Sequence, residues 1–227
     1  MQKPEKIVDG VYLVGSQDLT DTRDCCVYLI DGGSELALVD TGVGLSGRSI
    51  LDNIKKLGFE QKLLKYVIAT HGHIDHTGGL SFFQSLGAKV VAHALELDAI
   101  SKGLAHLTAE QYYQLKYQPV EANLVLQGDR QDIQIGKLTL HCLHTPGHTP
   151  GGISPYVDLK QGRVLFGQDI HGPFNTSWGA DLGQWQASMK KLIELKADIL
   201  CEGHFGVYRP ASKVRKYIEH YLEQYAD

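Results

Sequence analysis

The sequence predicts an α/β fold with a strand-rich second half (α+β in character), and three observations carry that expectation. Short apolar runs bounded by Asp and Gly open the chain. Amphipathic stretches at helical spacing then alternate with buried strand-like runs as far as about residue 92, the signature of layered helices on a sheet. Beyond an irregular segment, strand-like runs separated by turn residues follow one another, which is how antiparallel sheets read. The 227 residues can bury a substantial core and contain no visible linker, so one domain over 1–227 with a helical insertion at about 94–120 is expected.

The elements follow in order. Runs at 11–14, 26–30 and 36–39 read as an opening antiparallel meander. Ile50, Leu51, Ile54 and Leu57 repeat at helical spacing within 46–57 and stop at Gly58, so an amphipathic helix is predicted there. A strand at 63–69, a helix through Leu80, Phe83 and Leu86 ending at Gly87, and a strand at 89–92 complete the alternating half. The 94–120 segment holds two helical patterns, the second opened by Thr108 with Gln111 three residues later; that spacing predicts a capping box and hence a helical hairpin. Strands are predicted at 124–126, 132–135, 138–143, 152–157 and 163–166, then a helix at 181–195, a strand at 198–201 and a last helix. In that helix Val214, Tyr217, Ile218, Tyr221 and Leu222 form a core-facing stripe, and Lys213, Arg215 and Lys216 a solvated face.

Composition excludes several classes of function. With 22 basic and 26 acidic residues the formal charge is -4, which offers no field for nucleic acid or an anionic membrane. A small neutral or modestly charged substrate fits better. Cys25, Cys26, Cys142 and Cys201 have neither zinc-ribbon spacing nor disulfide-scaffold density, so reduced, buried thiols in a cytoplasmic protein are expected. Met1 to Glu5 carries charge with no apolar run behind it, and no segment reaches membrane-spanning length, so no leader or anchor is expected. Nothing in the sequence selects an oligomeric state.

The chemistry is concentrated in Thr70-His71-Gly72-His73-Ile74-Asp75-His76-Thr77-Gly78-Gly79, which puts three imidazoles and a carboxylate within six residues at the end of a predicted strand. A packed core has no use for so many polar groups, whereas alternate histidines converge readily on a metal ion. Further candidate ligands stand where other predicted strands end: His148 in Thr145-Pro146-Gly147-His148, Asp169 after Phe166-Gly167-Gln168, and His204 in Glu202-Gly203-His204-Phe205. Loops leaving one edge of packed sheets bring such residues together, and the neighbouring Gly and Pro permit the tight paths required.

In this order, H-x-H-x-D-H, a lone His, an Asp and a His resemble the metallo-β-lactamase superfamily. The resemblance extends over about 8–208 and includes Leu38-Val39-Asp40-Thr41-Gly42. It implies a four-layer αββα sandwich with metals at the edge where two sheets meet. It assigns His71, His73 and His148 to one metal, Asp75, His76 and His204 to a second, and Asp169 as the bridge between them. Such N and O ligands suit Zn2+, while iron or manganese would accept them too. Two such cations lower the pKa of a shared water from ~15.7 toward ~7, leaving hydroxide to attack an ester, thioester or lactone carbonyl. Asp75 is the candidate proton carrier, and Asp40 the residue fixing a ligand tautomer.

Within the superfamily, glyoxalase II-type thioester hydrolases share the metal motif. Their glutathione-binding members carry a helical domain after the last ligand, and 23 residues follow His204 here, so a glutathione thioester is not expected. Acyl-homoserine lactonases resemble the chain through an insertion at the place of 94–120. Persulfide dioxygenases, with a single iron, use a similar motif but a Gly- and Arg-rich loop after the Asp that this chain lacks. A catalytically slow small-molecule-binding metalloprotein is the further alternative; nuclease members conflict with the acidic balance. Phe174, Trp178, Phe205 and Tyr208 are candidates for an apolar substrate wall, and Tyr112, Tyr113 and Tyr117 for the insertion's side of it or for core. His93, His106, His141, His144, His171 and His220 fall outside the ligand pattern and read as ordinary hydrogen-bonded or surface histidines, with contact to the substrate or to a ligand's neighbour the alternative for His144 and His171, which lie close in sequence to ligands.

Overall fold

The opening runs pair as a meander in a computed structural model that describes residues 3–226, so Met1 and Gln2 of the N-terminal reading lie outside it. Strands β1 (Glu5–Val8), β2 (Val11–Gly15), β3 (Val27–Asp31) and β4 (Leu36–Val39) are joined antiparallel in that order. The sequence reading lacks β1, whose exposed Glu5 and Lys6 hide its single buried position, Ile7. Helix α1 (Gly47–Lys56) leads to β5 (Leu64–Ile68), and α2 (Ile74–Thr77) and α3 (Leu80–Ser85) lead to β6 (Lys89–His93). With β7 (Leu124–Leu126) these add parallel to β4, giving a seven-stranded sheet in sequence order.

The second sheet contains β8 (Arg130–Ile135), β9 (Leu138–His144), β10 (Ile153–Leu159), β11 (Gly162–Phe166), β12 (Ile199–Cys201) and β13 (Val207–Tyr208), in the order β13-β12-β11-β10-β9-β8. Only β11 and β12 run parallel there, because their crossover carries a helix, Leu182–Leu195, whose first turn is capped by Asp181 accepting the Gln184 amide at 2.9 Å.

Alternation along the strands sorts side chains between layers. Tyr28, Ile30, Ala37, Val39, Leu140, Cys142, Val164 and Phe166 meet between the sheets. Leu29, Leu36 and Leu38, on the opposite face, pack under α1 and α3 with Ile50, Ile54 and Phe83. Leu165 and Leu200 pack instead under the 182–195 helix and the last helix, Ala211–Gln224, with Trp185, Met189, Val214 and Ile218. Helix, sheet, sheet and helix are therefore the four layers anticipated. Phe83 is wholly buried, so Phe83→Ala is expected to cost about 3–5 kcal/mol of stability, read as a lowered denaturant midpoint at unchanged m-value. No helix among the described residues is long and apolar enough to cross a membrane.

The inserted segment departs from expectation. In place of a hairpin of two helices, 94–120 holds a 3-10 turn (Ala94–Glu96) and three single helical turns, α4 (Leu97–Ile100), α5 (Ala105–Thr108) and α6 (Glu110–Tyr113). Thr108 does not open a helix but ends one, its hydroxyl donating back to the Ala105 carbonyl at 3.3 Å. The backbone is left-handed at Gly103, Ala109 and Gln114, which interrupts the helical path after each turn. A capping-box spacing cannot reveal that interruption, since it reads side chains and not φ. In order after α6, the helices Leu182–Leu195 and Ala211–Gln224 are α7 and α8.

Candidate metal centre and substrate cavity

The loops that leave β4, β5, β9, β11 and β12 meet at one edge of the two sheets. Beyond β5 the chain bends through Thr70, His71 and Gly72 and is extended again at His73 (φ -65°, ψ 144°), and this bend brings the His71 and His73 rings together across Gly72. Helix α2 then turns Asp75 and His76 out of that line, a single turn that the His-rich sequence conceals. Thr77 clamps it, its hydroxyl donating to the His73 carbonyl at 2.8 Å.

Two clusters of ligand atoms result. In the first, His71 Nε2 and His148 Nε2 each lie 3.0 Å from His73 Nδ1. In the second, His76 Nε2 lies 3.2 Å from His204 Nε2 and 3.5 Å from Asp75 Oδ2, and His204 Nε2 lies 3.3 Å from the same Asp75 oxygen. Asp169 faces both: Oδ1 is 3.1 Å from His76 Nε2 and 3.3 Å from His204 Nε2, while Oδ2 is 3.5 Å from His148 Nε2 and 4.0 Å from His71 Nε2. Ligand bonds of 2.0–2.1 Å in tetrahedral geometry separate donor atoms by about 3.3 Å, so the spacing fits a metal. A buried Asp169 Oδ1 without a hydrogen-bond partner of its own agrees.

The other ring nitrogens are held by neighbours. His76 Nδ1 donates to Asp40 Oδ2 at 2.8 Å. Asp40 also accepts the Thr70 amide and hydroxyl, both at 2.9 Å, and the Thr70 oxygen is 3.1 Å from His71 Nδ1. His148 Nδ1 donates to the Pro173 carbonyl at 2.9 Å. These contacts leave Nε2 of all three rings for a metal. Asp40 sits in the left-handed region (φ 62°), which Asp and Asn tolerate best among residues with a side chain. Asp40→Asn therefore keeps the backbone while removing one carboxylate oxygen, and is expected to weaken metal binding about 10–100-fold in chelator competition; an unchanged affinity would show Asp40 to be only a turn residue.

Charge divides the two clusters. Burial, reinforced by the neighbouring imidazoles, holds His71 well below the usual histidine value and pushes His73 down to about 3 and His148 to about 4. Burial acts the same way on His204, but Asp169 and Asp75 overcome it and raise that ring to about 10. His76 is raised well above its ordinary value against burial, by Cys25, Asp169, Asp75 and Asp40. Asp169, despite burial, is held well below the carboxylate range by His204 and His76.

A cavity of about 780 Å³ opens onto this centre. Phe174, Trp178 and Phe205 line it, as do Tyr112 and Tyr113 of the insertion, and the Trp178 ring stands edge-on to His73 with centroids 4.5 Å apart. Tyr208 does not line it. It sits on β13, where its ring packs 4.1 Å from Tyr217, because the loop after His204 turns back into the sheet within three residues. Tyr117 is core, packed with Val43 and Ile74. His144 stacks on His93, rings 4.2 Å apart, away from the cavity lining.

Of the three further residues near the centre, the sequence reading gave His171 as a possible substrate contact and missed Glu202 and Glu96. His171 lines the cavity and donates from Nδ1 to Glu202 Oε1 at 2.7 Å. Glu202 Oε2 accepts the His204 and Phe205 amides at 2.6 and 2.8 Å, fixing the loop that presents His204. Glu96, 3 % exposed, accepts the Gly151 amide at 2.7 Å. A carboxylate within two residues of a ligand, as Glu202 is, was the available sequence signal; Glu96 had none, being 52 residues before His148.

Similarities to known proteins agree with this centre. The Metallo-beta-lactamase superfamily pattern matches residues 20–204. The human acyl-coenzyme A thioesterase MBLAC2 is 26% identical over 88% of this chain and 80% of its own. A hydroxyacylglutathione hydrolase of Methylobacillus flagellatus is 29% identical over 76% of this chain and 58% of its own. Among solved structures, the subclass B3 metallo-beta-lactamase BJP-1 of Bradyrhizobium japonicum superposes with a TM-score of 0.82 at 25% identity, over 99% of this chain and 92% of that one. With the fold, the His/Asp cluster and a match over most of its length, the chain belongs to the metallo-β-lactamase superfamily, as one of its metallo-hydrolases.

Proposed function

We propose that this metallo-hydrolase is a dinuclear zinc enzyme that cleaves an ester, thioester or lactone bond of a small molecule. The observation that carries the reading is Asp169, whose two oxygens face two separate sets of ligand atoms at metal-like spacing. His71, His73 and His148 would hold one ion, Asp75, His76 and His204 the other, and Asp169 both. When bound, such ions supply Lewis acidity and a water acidified toward neutral pH. The chain's own part is to orient. Asp40, Thr70 and Pro173 fix the imidazoles, and Phe174, Trp178 and Phe205 form an apolar wall for the acyl group. Asp75, at the cavity surface, takes up and returns the proton.

The substrate class is supported by the lining and by the relatives' names. Among the described residues, no Lys or Arg lines the cavity, which favours an uncharged acyl portion over one recognised through a carboxylate or phosphate. The similar proteins are named for acyl-coenzyme A, hydroxyacylglutathione and N-acyl homoserine lactone. Four buried free thiols suit a reducing, cytoplasmic setting. Elemental analysis of protein purified without chelator tests the reading. About two zinc atoms per chain, with turnover on an ester, thioester and lactone panel, is the expected result; one tightly held iron and oxygen consumption with a persulfide would overturn it.

A further inference from the structure

Glu96 is a wholly enclosed carboxylate that takes no part in the ligand set, and its surroundings are unusual on both sides. It closes the 3-10 turn after β6 and reaches into the gap between the loop carrying His71 and His73 and the loop carrying His148. Its Oε1 accepts the Gly151 amide at 2.7 Å. Its Oε2 faces Gly72, the residue between the two histidines, so closely that a β-carbon at Gly72 would stand 2.8 Å from it, and closer still to Ala99 Cβ. A β-carbon at Gly151 would likewise stand 2.8 Å from Glu96 Cγ and 2.9 Å from Oε1. Both ligand loops thus have glycine where this carboxylate approaches them, and neither glycine is at a positive φ. Close approach, rather than a backbone turn, is what glycine provides at these positions.

We propose that Glu96 is a positioning residue that clamps the His71–His73 loop to the His148 loop, holding three imidazoles in a preformed metal-binding set. The inference rests on the ligand assignment proposed above. The two loops come from different sheets, β5 and β9, and the backbone joins them where the Ile153 amide donates to the Thr70 carbonyl at 2.8 Å; Glu96 adds a second tie between the two loops, at Gly72 and Gly151. A carboxylate has two acceptor oxygens and so serves two amide donors at once; an amide side chain serves one and turns an N–H toward the other. Burial pushes the Glu96 carboxyl up to about 7 against the pull of the amides that face it, Gly151 donating at 2.7 Å. The enclosed carboxylate therefore depends on those donors as much as the loops depend on it.

The test uses the full chain with His204→Ala, which cripples the second ligand cluster and leaves the three-histidine set. Zinc affinity is measured by competition with a chromophoric chelator, with and without Glu96→Gln, alongside the melting temperature of each metal-free protein. The expected result is a loss of about 10–100-fold in zinc affinity on adding Glu96→Gln, with metal-free melting within a few degrees. A merely structural role would lower the melting temperature and leave the affinity unmoved, which overturns the clamp while the ligand assignment stands. Failure of the His204→Ala protein itself to bind zinc would overturn the ligand assignment and the clamp together. Should Glu96→Gln not fold, Glu96→Asp, which withdraws the carboxylate by one methylene, is expected to give an intermediate loss of affinity; full affinity there overturns the proposal.

Discussion

Asp169→Ala is expected to leave at most one metal ion per chain and to lower hydrolysis by at least ~10³-fold, because among the described residues Asp169 is the carboxylate whose two oxygens face both ligand clusters. Its Oδ1 and Oδ2 point to different imidazole pairs, so a single truncation strips a donor from each. The effect on the metal-free protein has a definite direction as well. Asp169 is the foremost carboxylate raising His204; without it that ring loses its main counter-charge and reverts toward neutrality, which limits the cost of leaving a buried cation unpaired. Asp169→Asn preserves volume and separates charge from packing. Metal content and kcat/KM decide the matter: two ions retained, with activity within tenfold of the parent, would remove Asp169 from the bridging role.

Metal uptake is expected to be proton-coupled at one cluster and proton-independent at the other. His73 and His148, pushed down to about 3 and about 4, are already neutral at pH 7, so an ion entering there displaces no proton. His204, raised to about 10, and His76, raised well above its usual value, are protonated at that pH and must each release a proton. Affinity at the second cluster should fall as pH drops below about 10, by about tenfold per pH unit for the His204 proton and more steeply wherever His76 is protonated as well, while the first stays flat from pH 9 to 5. Stability of the metal-free protein follows from the same shifts. The depressed pair contributes stability that is present above the unfolded value of about 6.5 and lost as pH falls toward 4 and 3. His204 contributes stability that is complete below about 6.5 and lost as pH rises through 10. For these groups, then, metal-free stability peaks near pH 6.5 and declines on either side. Zinc calorimetry in buffers of different ionisation enthalpy counts the protons released. Equal release, or none, at both steps would contradict the charge division between the clusters.

Much of this centre was legible in the sequence because it depends on local pattern. The short apolar run Leu36 to Val39 and the 3.6-residue spacing of Ile50, Ile54 and Leu57 respond to burial one element at a time, length and flanking turn residues marking the first as a strand and period the second as a helix. The seven proposed ligands are legible through residue type and order, since three imidazoles at a strand end serve little besides metal. The four layers came through the resemblance those motifs carry, and the structural similarities agree with them.

What the sequence could not decide depends on φ angles or on partners remote in the chain. Left-handed Ala109 and Gln114 break the insertion into single turns although Thr108 and Gln111 spell a helix start. Tyr208 is withdrawn from the cavity by its pairing in β13 with β12, a two-residue strand too short to have a period. Glu202 and Glu96 became visible only when the fold placed them against amides of the ligand loops, in the case of Glu96 with Gly151, 55 residues away. Residue type and spacing thus determined which groups are proposed to hold the metal and the class of chemistry they would support. Tertiary packing alone decided which carboxylates hold those groups in place, since hydrogen-bond partners of buried polar atoms are set by three-dimensional proximity and leave no periodic mark along the chain.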